Sequence, residues 1–281
     1  MTEESPALYV VPTPLGNLSD MSPRAIETLR RAAWVACEDT RRSAPLLRRF
    51  GITARLLAAH EHNEETAARQ IAARLDAGES VALVCDAGTP AISDPGARIV
   101  ARVRAAGHRI VPLPGPCAAV TALSASGLAE PHFLFYGFLP AKVRQREDAL
   151  RELARLPHAL VFYEAPHRIE ETAASLLAVF GPDRTLVLAR ELTKLFETIH
   201  ACPLAEAPAW LAADADRRRG EFVLVVSGAP LSTGESDGEG ERVLRLLLDE
   251  GLTVKQAARL AHAITGTARK AMYEKALQLR E

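Results

Sequence analysis

Two clusters of polar side chains follow short apolar segments of the chain, and both combine carboxylates with basic groups. Residues 37–42 contain Glu38, and residues 189–194 contain Glu191 and Lys194. Side chains of these types supply general bases and stabilise developing negative charge in active sites. Charge at the end of an apolar strand is either a solvated rim or part of an active site. Because one cluster lies in each half of the chain, the pattern favours a cleft between two domains.

A metal centre is not expected. His60 and His62 stand among three acidic residues, but an i, i+2 pair in a strand points to opposite faces. The four cysteines, which have no C-x-x-C spacing, are Cys37, Cys85, Cys117 and Cys202. These spacings argue against a zinc site and against a disulfide framework.

Three further segments are rich in glycine, proline and small residues: 11–17, 85–96 and 112–118. Glycine lets a backbone approach a ligand closely, and proline makes a loop rigid. None of the three is a G-x-G-x-x-G, a G-x-x-x-x-G-K-[ST] or a G-x-S-x-G motif. These absences disfavour a dinucleotide-binding Rossmann domain, a P-loop and an α/β-hydrolase.

The elements that position these segments are predicted from hydrophobic periodicity. In the first half, helix-period segments alternate with short apolar runs at 7–11, 33–37, 55–59, 81–85 and 109–113. This alternation predicts a largely parallel sheet covered on both faces. The three small-residue segments would then lie at the carboxyl ends of parallel strands, where α/β proteins bind ligands.

The chain is predicted to contain two α/β domains and a helical tail. The second half has strand-like runs, and 186–190 and 196–201 are so close in sequence that they should pair antiparallel. The polar, glycine-rich stretch 231–240 is interpreted as a linker. The predicted units are an N-terminal α/β domain at 1–128, a mixed α/β domain at 129–230, the linker, and a helix-turn-helix-like tail at 241–281.

Composition excludes several classes of protein. The 281 residues suit about two domains, and 34 basic against 35 acidic residues give a net charge of −1. The chain is therefore no polycation, and a nucleic acid would have to bind a local patch. The N-terminus lacks the pattern of a signal peptide, and no apolar run approaches 18 residues. We expect a cytoplasmic protein without a membrane segment.

Several unusual strings together resemble the tetrapyrrole methylase superfamily of S-adenosylmethionine (SAM) methyltransferases. Within it, the resemblance is close to the branch that methylates cytidine 2′-oxygens in bacterial small-subunit ribosomal RNA (rRNA). The segments that carry the resemblance are 11–17, 38–41, 86–90, 112–117, 162–164 and 189–194. The resemblance implies two α/β domains with an interdomain SAM cleft, a helical tail and a homodimer. It also implies methylation of a decoding-centre cytidine (cytidine 1402) of 16S rRNA in the small ribosomal subunit.

Carried over position by position, the resemblance also assigns the cofactor site. The loop around Gly16 should border the cleft, small residues of the next two loops should hold the methionine end of SAM, and Tyr163 should meet the adenosine. The expected cofactor-binding residues are Gly16, Ala87, Gly88, Thr89, Ile92, Cys117, Ala118 and Tyr163.

Methyl transfer to a ribose hydroxyl needs positioning, and a base or cation would assist it. The candidate bases are Glu38, Asp39, Glu164 and Glu191, of which Glu38 and Glu191 are favoured, with Lys194 or Arg190 as the electrostatic partner. Basic residues near these motifs are candidates for phosphate contacts, although each alone is also typical of a solvated surface. They are Arg24, Arg41, Arg42, Lys142, Arg144, Arg146, Arg168 and Arg190. With a net charge of −1, we expect a preference for assembled subunits over free rRNA, and no DNA partner.

Two other functions stay open on the sequence. The same fold could methylate a corrinoid or another tetrapyrrole, which would need a roomy apolar cleft rather than strand ends crowded with charge. The chain could instead be an RNA-binding assembly factor without catalytic activity, although its three small-residue loops look intact. It is likewise open whether the tail contacts RNA or only packs on the protein.

Overall fold

The structure is a computed structural model that describes residues 5–230 and 235–279. It divides into two compact units, Met1–Ala229 and Pro230–Glu281. The first unit contains two five-stranded sheets and the second is helical. The predicted α/β class with a helical tail is therefore confirmed. No helix among the described residues is long and apolar enough to cross a membrane.

The first sheet is parallel throughout, with strand order β3-β2-β4-β1-β5. Its central strand β4 is buried at all four positions, as a parallel strand covered on both faces requires. The strands are β1 (Ala7–Val10), β2 (Trp34–Cys37), β3 (Arg55–Ala58), β4 (Val81–Val84) and β5 (Arg109–Pro112). Each lies within one residue of the predicted apolar run.

Helices connect these strands. The first begins where Ser22 caps it and Pro23 occupies the first helical position, the arrangement that proline favours. The helices are α1 (Pro23–Arg31), α2 (Thr40–Arg49), α3 (Glu64–Asp76), α4 (Ala97–Ala105) and α5 (Ala118–Ser124). The helical pattern of the sequence over 45–50 predicts that α2 begins at Pro45, and this prediction is wrong. The Asp39 side chain caps the helix by accepting from the Arg41 N–H at 2.9 Å, so the helix starts at Thr40.

The second sheet is mixed, with strand order β6-β7-β10-β8-β9. Its strands are β6 (Phe133–Phe138), β7 (Ala159–Glu164), β8 (Thr185–Arg190), β9 (Thr198–Pro203) and β10 (Phe222–Val226). The antiparallel pairing of β8 with β9 confirms the prediction from their short connection. The predicted division at residues 128/129 falls between α5 and β6, and hence between the two sheets.

Three helices accompany the second sheet: α6 (Val143–Leu153), α7 (Ile169–Phe180) and α8 (Ala207–Ala212). The helical pattern of the sequence over 206–219 predicts one long helix, but α8 ends at Ala212 and a short 3-10 turn covers 215–218. The Asp214 side chain caps that turn by accepting from the Asp216 N–H at 2.9 Å. Aspartate competes for backbone donors in this way, and it interrupts the helix here.

The helical unit consists of α9 (Glu235–Asp249), α10 (Val254–Thr265) and α11 (Arg269–Gln278). Gly251 and Gly266, which the sequence pattern predicts as helix breaks, lie between these helices. The linker prediction for 231–240 is wrong from residue 235 onward, because 235–240 belong to α9. Residues 231–234 lie outside the described part of the chain. Gly240 is buried, and a Cβ there would lie 2.7 Å from Met272 Cε. This glycine permits close helix packing rather than flexibility.

Candidate active site

A cavity of about 410 Å³ lies within the first compact unit, lined by loops that follow strands of the first sheet and by ends of strands in the second. This size is typical of small-molecule sites, which span about 300–1,000 Å³. Twelve of the residues predicted from the sequence line it: Glu38, Arg42, Ala87, Gly88, Thr89, Ile92, Cys117, Ala118, Tyr163, Glu164, Glu191 and Lys194. The predicted residues that do not line it are Gly16, Arg24, Asp39, Arg41, Lys142, Arg144, Arg146, Arg168 and Arg190.

The three small-residue loops follow β1, β4 and β5, which are neighbours in the first sheet. Hydrogen bonds join them into one structure. Thr13 and Gly88 exchange backbone hydrogen bonds of 2.8 and 3.0 Å, and the Thr89 hydroxyl donates to the Pro116 carbonyl at 2.8 Å. The cavity wall formed by these loops is therefore held in place before any ligand binds.

Backbone strain is concentrated beside the cavity. Among the described residues other than glycine, a positive φ occurs at Ala91 (69°), Ser93 (59°), Glu191 (51°) and Thr193 (67°). All four lie in two loops that border the cavity, after β4 and after β8. Strained conformations of this kind persist where the surroundings enforce them, and they cluster at functional sites. Nothing in the residue types of these two loops predicts this feature.

One side of the cavity is acidic, with Glu38, Asp86 and Asp94 in its wall. Burial raises the pKa of Glu38, and the charges of Asp86 and Asp94 raise it further. Arg42 pairs with Asp86 at 3.1 Å, and its own side chain stays largely exposed. The other carboxylate oxygen of Asp86, Oδ1, is buried and accepts no hydrogen bond. An acceptor in this state suits a cationic or hydrogen-bond-donating ligand.

The opposite side is organised around Lys194. Its ammonium donates to Glu191 Oε1 and to Glu221 Oε2, both at 2.8 Å. Burial alone would raise the pKa of Glu191, but the bonds from Lys194 and from the Glu221 N–H hold that pKa below its usual value. Burial alone would lower the pKa of Lys194, but the two carboxylates raise it. Gly16 packs on this lysine, since a Cβ at residue 16 would overlap Lys194 Cγ.

A comparison with protein families settles the ancestry of this fold. A family model described as Tetrapyrrole (Corrin/Porphyrin) Methylases matches residues 7–208. The chain belongs to the tetrapyrrole methylase family. A second model, described as RsmI C-terminal HTH domain, matches residues 234–280, which span the three tail helices of this family member.

This tetrapyrrole methylase has close relatives over nearly its whole length. It is 51% identical over 273 residues to Ribosomal RNA small subunit methyltransferase I of Pseudomonas aeruginosa, which covers 96% of each chain. It is 49% identical over 271 residues to the protein of that name from Escherichia coli O157:H7, covering 96% of this chain and 94% of the relative.

Solved structures share the fold at much lower identity. The methyltransferase CobJ superposes with a TM-score of 0.59 at 21% identity, covering 80% of this chain and 95% of that one. Uroporphyrin-III-C-methyltransferase from Thermus thermophilus superposes with a TM-score of 0.57 at 21% identity, covering 82% and 97%. At this low identity, the similarity to these structures shows a shared fold only.

The basic residues predicted to contact RNA separate into two groups in this family member. Those with exposed side chains are Arg24, Arg41, Arg42, Lys142 and Arg144. Arg168 and Arg190 differ from these, because both guanidinium groups donate to backbone carbonyls. Arg190 donates to Arg219 O at 2.6 Å and Phe196 O at 3.1 Å, and Arg168 donates to Leu139 O at 2.6 Å. Their donors hold loops together instead of facing a phosphate.

Arg146 also departs from the expectation, since its side chain is completely buried. It donates to Ser175 Oγ at 3.0 Å and Ala141 O at 3.2 Å, and pairs with Glu171. Replacing it with methionine would leave these acceptors unsatisfied. We expect Arg146→Met to lower the free energy of unfolding by roughly 1–3 kcal/mol, measured by urea denaturation. The control is Arg151→Met, which removes exposed ion pairs of the same helix and should cost less than about 0.5 kcal/mol. Equal losses in the two variants would contradict the structural role of Arg146.

The carboxylate of the candidate base Glu164 is engaged by hydrogen bonds within the protein. Its buried carboxylate accepts from Thr172 Oγ1 at 2.6 Å and from the Ala165 N–H at 2.8 Å, and lies 3.2 Å from Arg168 Nε. Asp39, the other candidate, caps α2 and pairs with Arg41. Glu164 borders the cavity, but its carboxylate is fully buried and accepts hydrogen bonds from the protein, and Asp39 does not line the cavity at all.

Some residues of the cavity were missed from the sequence. Asp86 and Asp94 lie in a segment recognised as a loop, but nothing in their spacing distinguished them from capping residues. Phe138 ends β6 and Glu221 immediately precedes β10, and their approach to the cavity depends on the packing of the two sheets. Within the described ranges, no group of three or more His, Cys, Asp or Glu residues could hold a metal ion.

Proposed function

We propose that this chain is a SAM-dependent methyltransferase that acts on the ribose 2′-oxygen of a cytidine in 16S rRNA, cytidine 1402 of the decoding centre. The observation that carries the proposal is the identity of about half of all residues with Ribosomal RNA small subunit methyltransferase I over nearly the full length of both chains. The small ribosomal subunit would be its partner in the cytoplasm, and the enzyme would be a homodimer.

The residues of the cavity fit SAM. Small side chains at Ala87, Gly88 and Ala118 leave room beside the backbone. The unsatisfied Asp86 Oδ1 supplies a negative acceptor for a cofactor that carries an amino group and a sulfonium. When bound, SAM supplies an activated methyl group. The proposed cofactor-binding residues are those predicted from the sequence, together with Asp86. Gly16 is the exception, because it packs against Lys194 and does not line the cavity.

Glu38 is the proposed general base. Its carboxylate lines the cavity, and a pKa raised by burial and by two neighbouring carboxylates moves it toward neutral pH, where a base is most effective. Glu191 was favoured equally on the sequence, but its engagement with Lys194 and Glu221 makes it a weaker base. We assign Glu191 instead to positioning Lys194.

Lys194 is the proposed electrostatic partner. An ammonium has three donor hydrogens, and two of them are engaged by Glu191 and Glu221. The third is available to an oxygen that gains negative charge as it loses its proton. The exposed side chains of Arg24, Arg41, Arg42, Lys142 and Arg144 are the proposed phosphate contacts.

The test is transfer of labelled methyl groups from SAM to small ribosomal subunits that lack the cytidine mark, with free 16S rRNA and tetrapyrroles as alternative acceptors. We expect incorporation into subunits, faster than into free rRNA. A 2′-O-methyl group protects the adjoining phosphodiester from alkali, so mapping the protected bond identifies the acceptor oxygen. Incorporation into a tetrapyrrole alone would contradict the proposal, as would SAM binding without any transfer.

A further inference from the structure

An aromatic side chain stands at the border of the cavity without a covering group. Phe138, the last residue of β6, lines the cavity, yet 53% of its surface is exposed. Its ring packs edge-on against Tyr163, with 5.6 Å between the centroids, so it is oriented by a neighbour inside the cavity. A large apolar surface left open beside a polar site is typical of a contact with a ligand or partner.

The backbone fixes Phe138 in this place. The pairing of β6 with β7 shifts register between Phe135 and Gly137, a bulge that changes the direction of the side chains beyond it. Gly137 has a φ of 84°, and a Cβ there would lie 2.8 Å from Ser93 Oγ. Only glycine allows this approach, which holds the end of β6 against the strained loop after β4.

Basic side chains follow Phe138 closely in the chain. Lys142 and Arg144 lie at the start of α6, and both are exposed. No ion pair engages either of them within the part of the chain that the structure describes. An open aromatic ring followed within a few residues of the chain by unpaired cations suits an unstacked nucleotide, since the ring can stack on the base while the cations bind the phosphates.

We propose that Phe138 stacks on the target pyrimidine after that base has left its RNA helix, while Lys142 and Arg144 bind the adjoining phosphates. The inference rests on the proposed function and adds a way of recognising the substrate. The ribose hydroxyl has to enter a cavity lined by Glu38 and Lys194, and a base attached to that ribose must lie at the cavity border. An aromatic ring stabilises an extruded base because it replaces the lost stacking.

The experiment compares Phe138→Leu, which keeps an apolar side chain but removes the ring, with Phe138→Trp, which keeps an aromatic face. Methylation of unmarked small ribosomal subunits is measured as KM and kcat at saturating SAM, and the Kd for SAM is measured separately. We expect Phe138→Leu to raise KM for subunits roughly 10- to 100-fold with an unchanged Kd for SAM, and Phe138→Trp to stay close to the unchanged protein.

Phe133→Leu is the matched control, because Phe133 lies at the other end of β6, is 47% exposed and does not line the cavity. It should leave KM unchanged. Neutralising Lys142 and Arg144 together should reduce the dependence of KM on salt concentration, as expected for lost phosphate contacts.

An unchanged KM in Phe138→Leu would overturn the inference. A raised Kd for SAM would overturn it as well, because it would show that the Phe138 ring contacts the cofactor and not the RNA base. Failure of the proposed function has a different signature, because the unchanged protein would then transfer no methyl group to subunits at all. That result would remove the inference as well. A loss of activity in Phe133→Leu equal to that in Phe138→Leu would also overturn it, since it would indicate damage to β6 in general.

Discussion

Glu38→Gln is expected to transfer methyl groups about 10²- to 10⁴-fold more slowly than the unchanged protein. The substitution keeps the size of the side chain and removes its ability to accept a proton. Glu38 lies in the cavity wall, and Asp86 and Asp94 remain in place when it is changed. Single-turnover methylation of unmarked subunits at saturating SAM measures the effect on the chemical step.

The pH profile gives a second readout of the same role. A general base must be ionised, so the rate should fall as pH drops through the pKa of Glu38. Burial and the two neighbouring carboxylates raise that pKa, which places the fall above the value of about 4.3 for an ordinary glutamate. In Glu38→Gln this acidic limb should be absent.

The control for Glu38 is Glu65→Gln, an exposed carboxylate paired with Arg102 outside the cavity wall. It should change neither the rate nor its pH dependence. A Glu38→Gln variant within threefold of the unchanged protein would show that another group takes the proton. If the rate is lost because the Kd for SAM is raised, Glu38 binds the cofactor and is not the general base.

Lys194→Gln is expected to lower the single-turnover rate by about 10²- to 10³-fold, the usual loss when one donor to a developing oxyanion is removed. Glutamine can donate a hydrogen bond but carries no charge. The substitution also leaves Glu191 without its ion pair, so the site gains net negative charge, which further disfavours a developing oxyanion. The measurement is the rate at saturating SAM and saturating subunits.

Two further variants separate the charge of Lys194 from its packing. Lys194→Arg keeps the charge and should recover part of the rate. Gly16→Ala keeps the lysine but displaces its alkyl chain, because the added Cβ would overlap Lys194 Cγ. It should lower the rate less than Lys194→Gln does. If Lys194→Gln loses SAM binding while the rate at saturating SAM is unchanged, the lysine holds the cofactor and does not assist the transfer.

The strands and the three small-residue loops could be predicted because the sequence patterns that indicate them are local. Apolar runs bounded by glycine and proline located β1 through β5 to within one residue, and the small-residue loops follow neighbouring strands as the parallel sheet required. The residues proposed to hold SAM were assigned through family resemblance, and twelve of the predicted residues line one cavity.

The roles of individual charged residues could not be predicted, because they depend on partners distant in the chain. Glu191 and Lys194 appeared as separate catalytic candidates, yet Glu221, about thirty residues away, engages both. Arg146 and Arg190 are indistinguishable in sequence from surface arginines, but Ser175 and Arg219 accept their hydrogen bonds. Periodicity carries no information about such pairings.

The position of β10 in the second sheet determines how the chain can fold as it is synthesised. β6 pairs with β7 and β8 pairs with β9, but only β10 joins these two ladders, and it is the last strand of the sheet to be made. Until residues 222–226 leave the ribosome, β7 and β8 each present an unpaired edge. Such edges are prone to pairing with other chains, so the nascent protein is most vulnerable to aggregation just before this strand emerges.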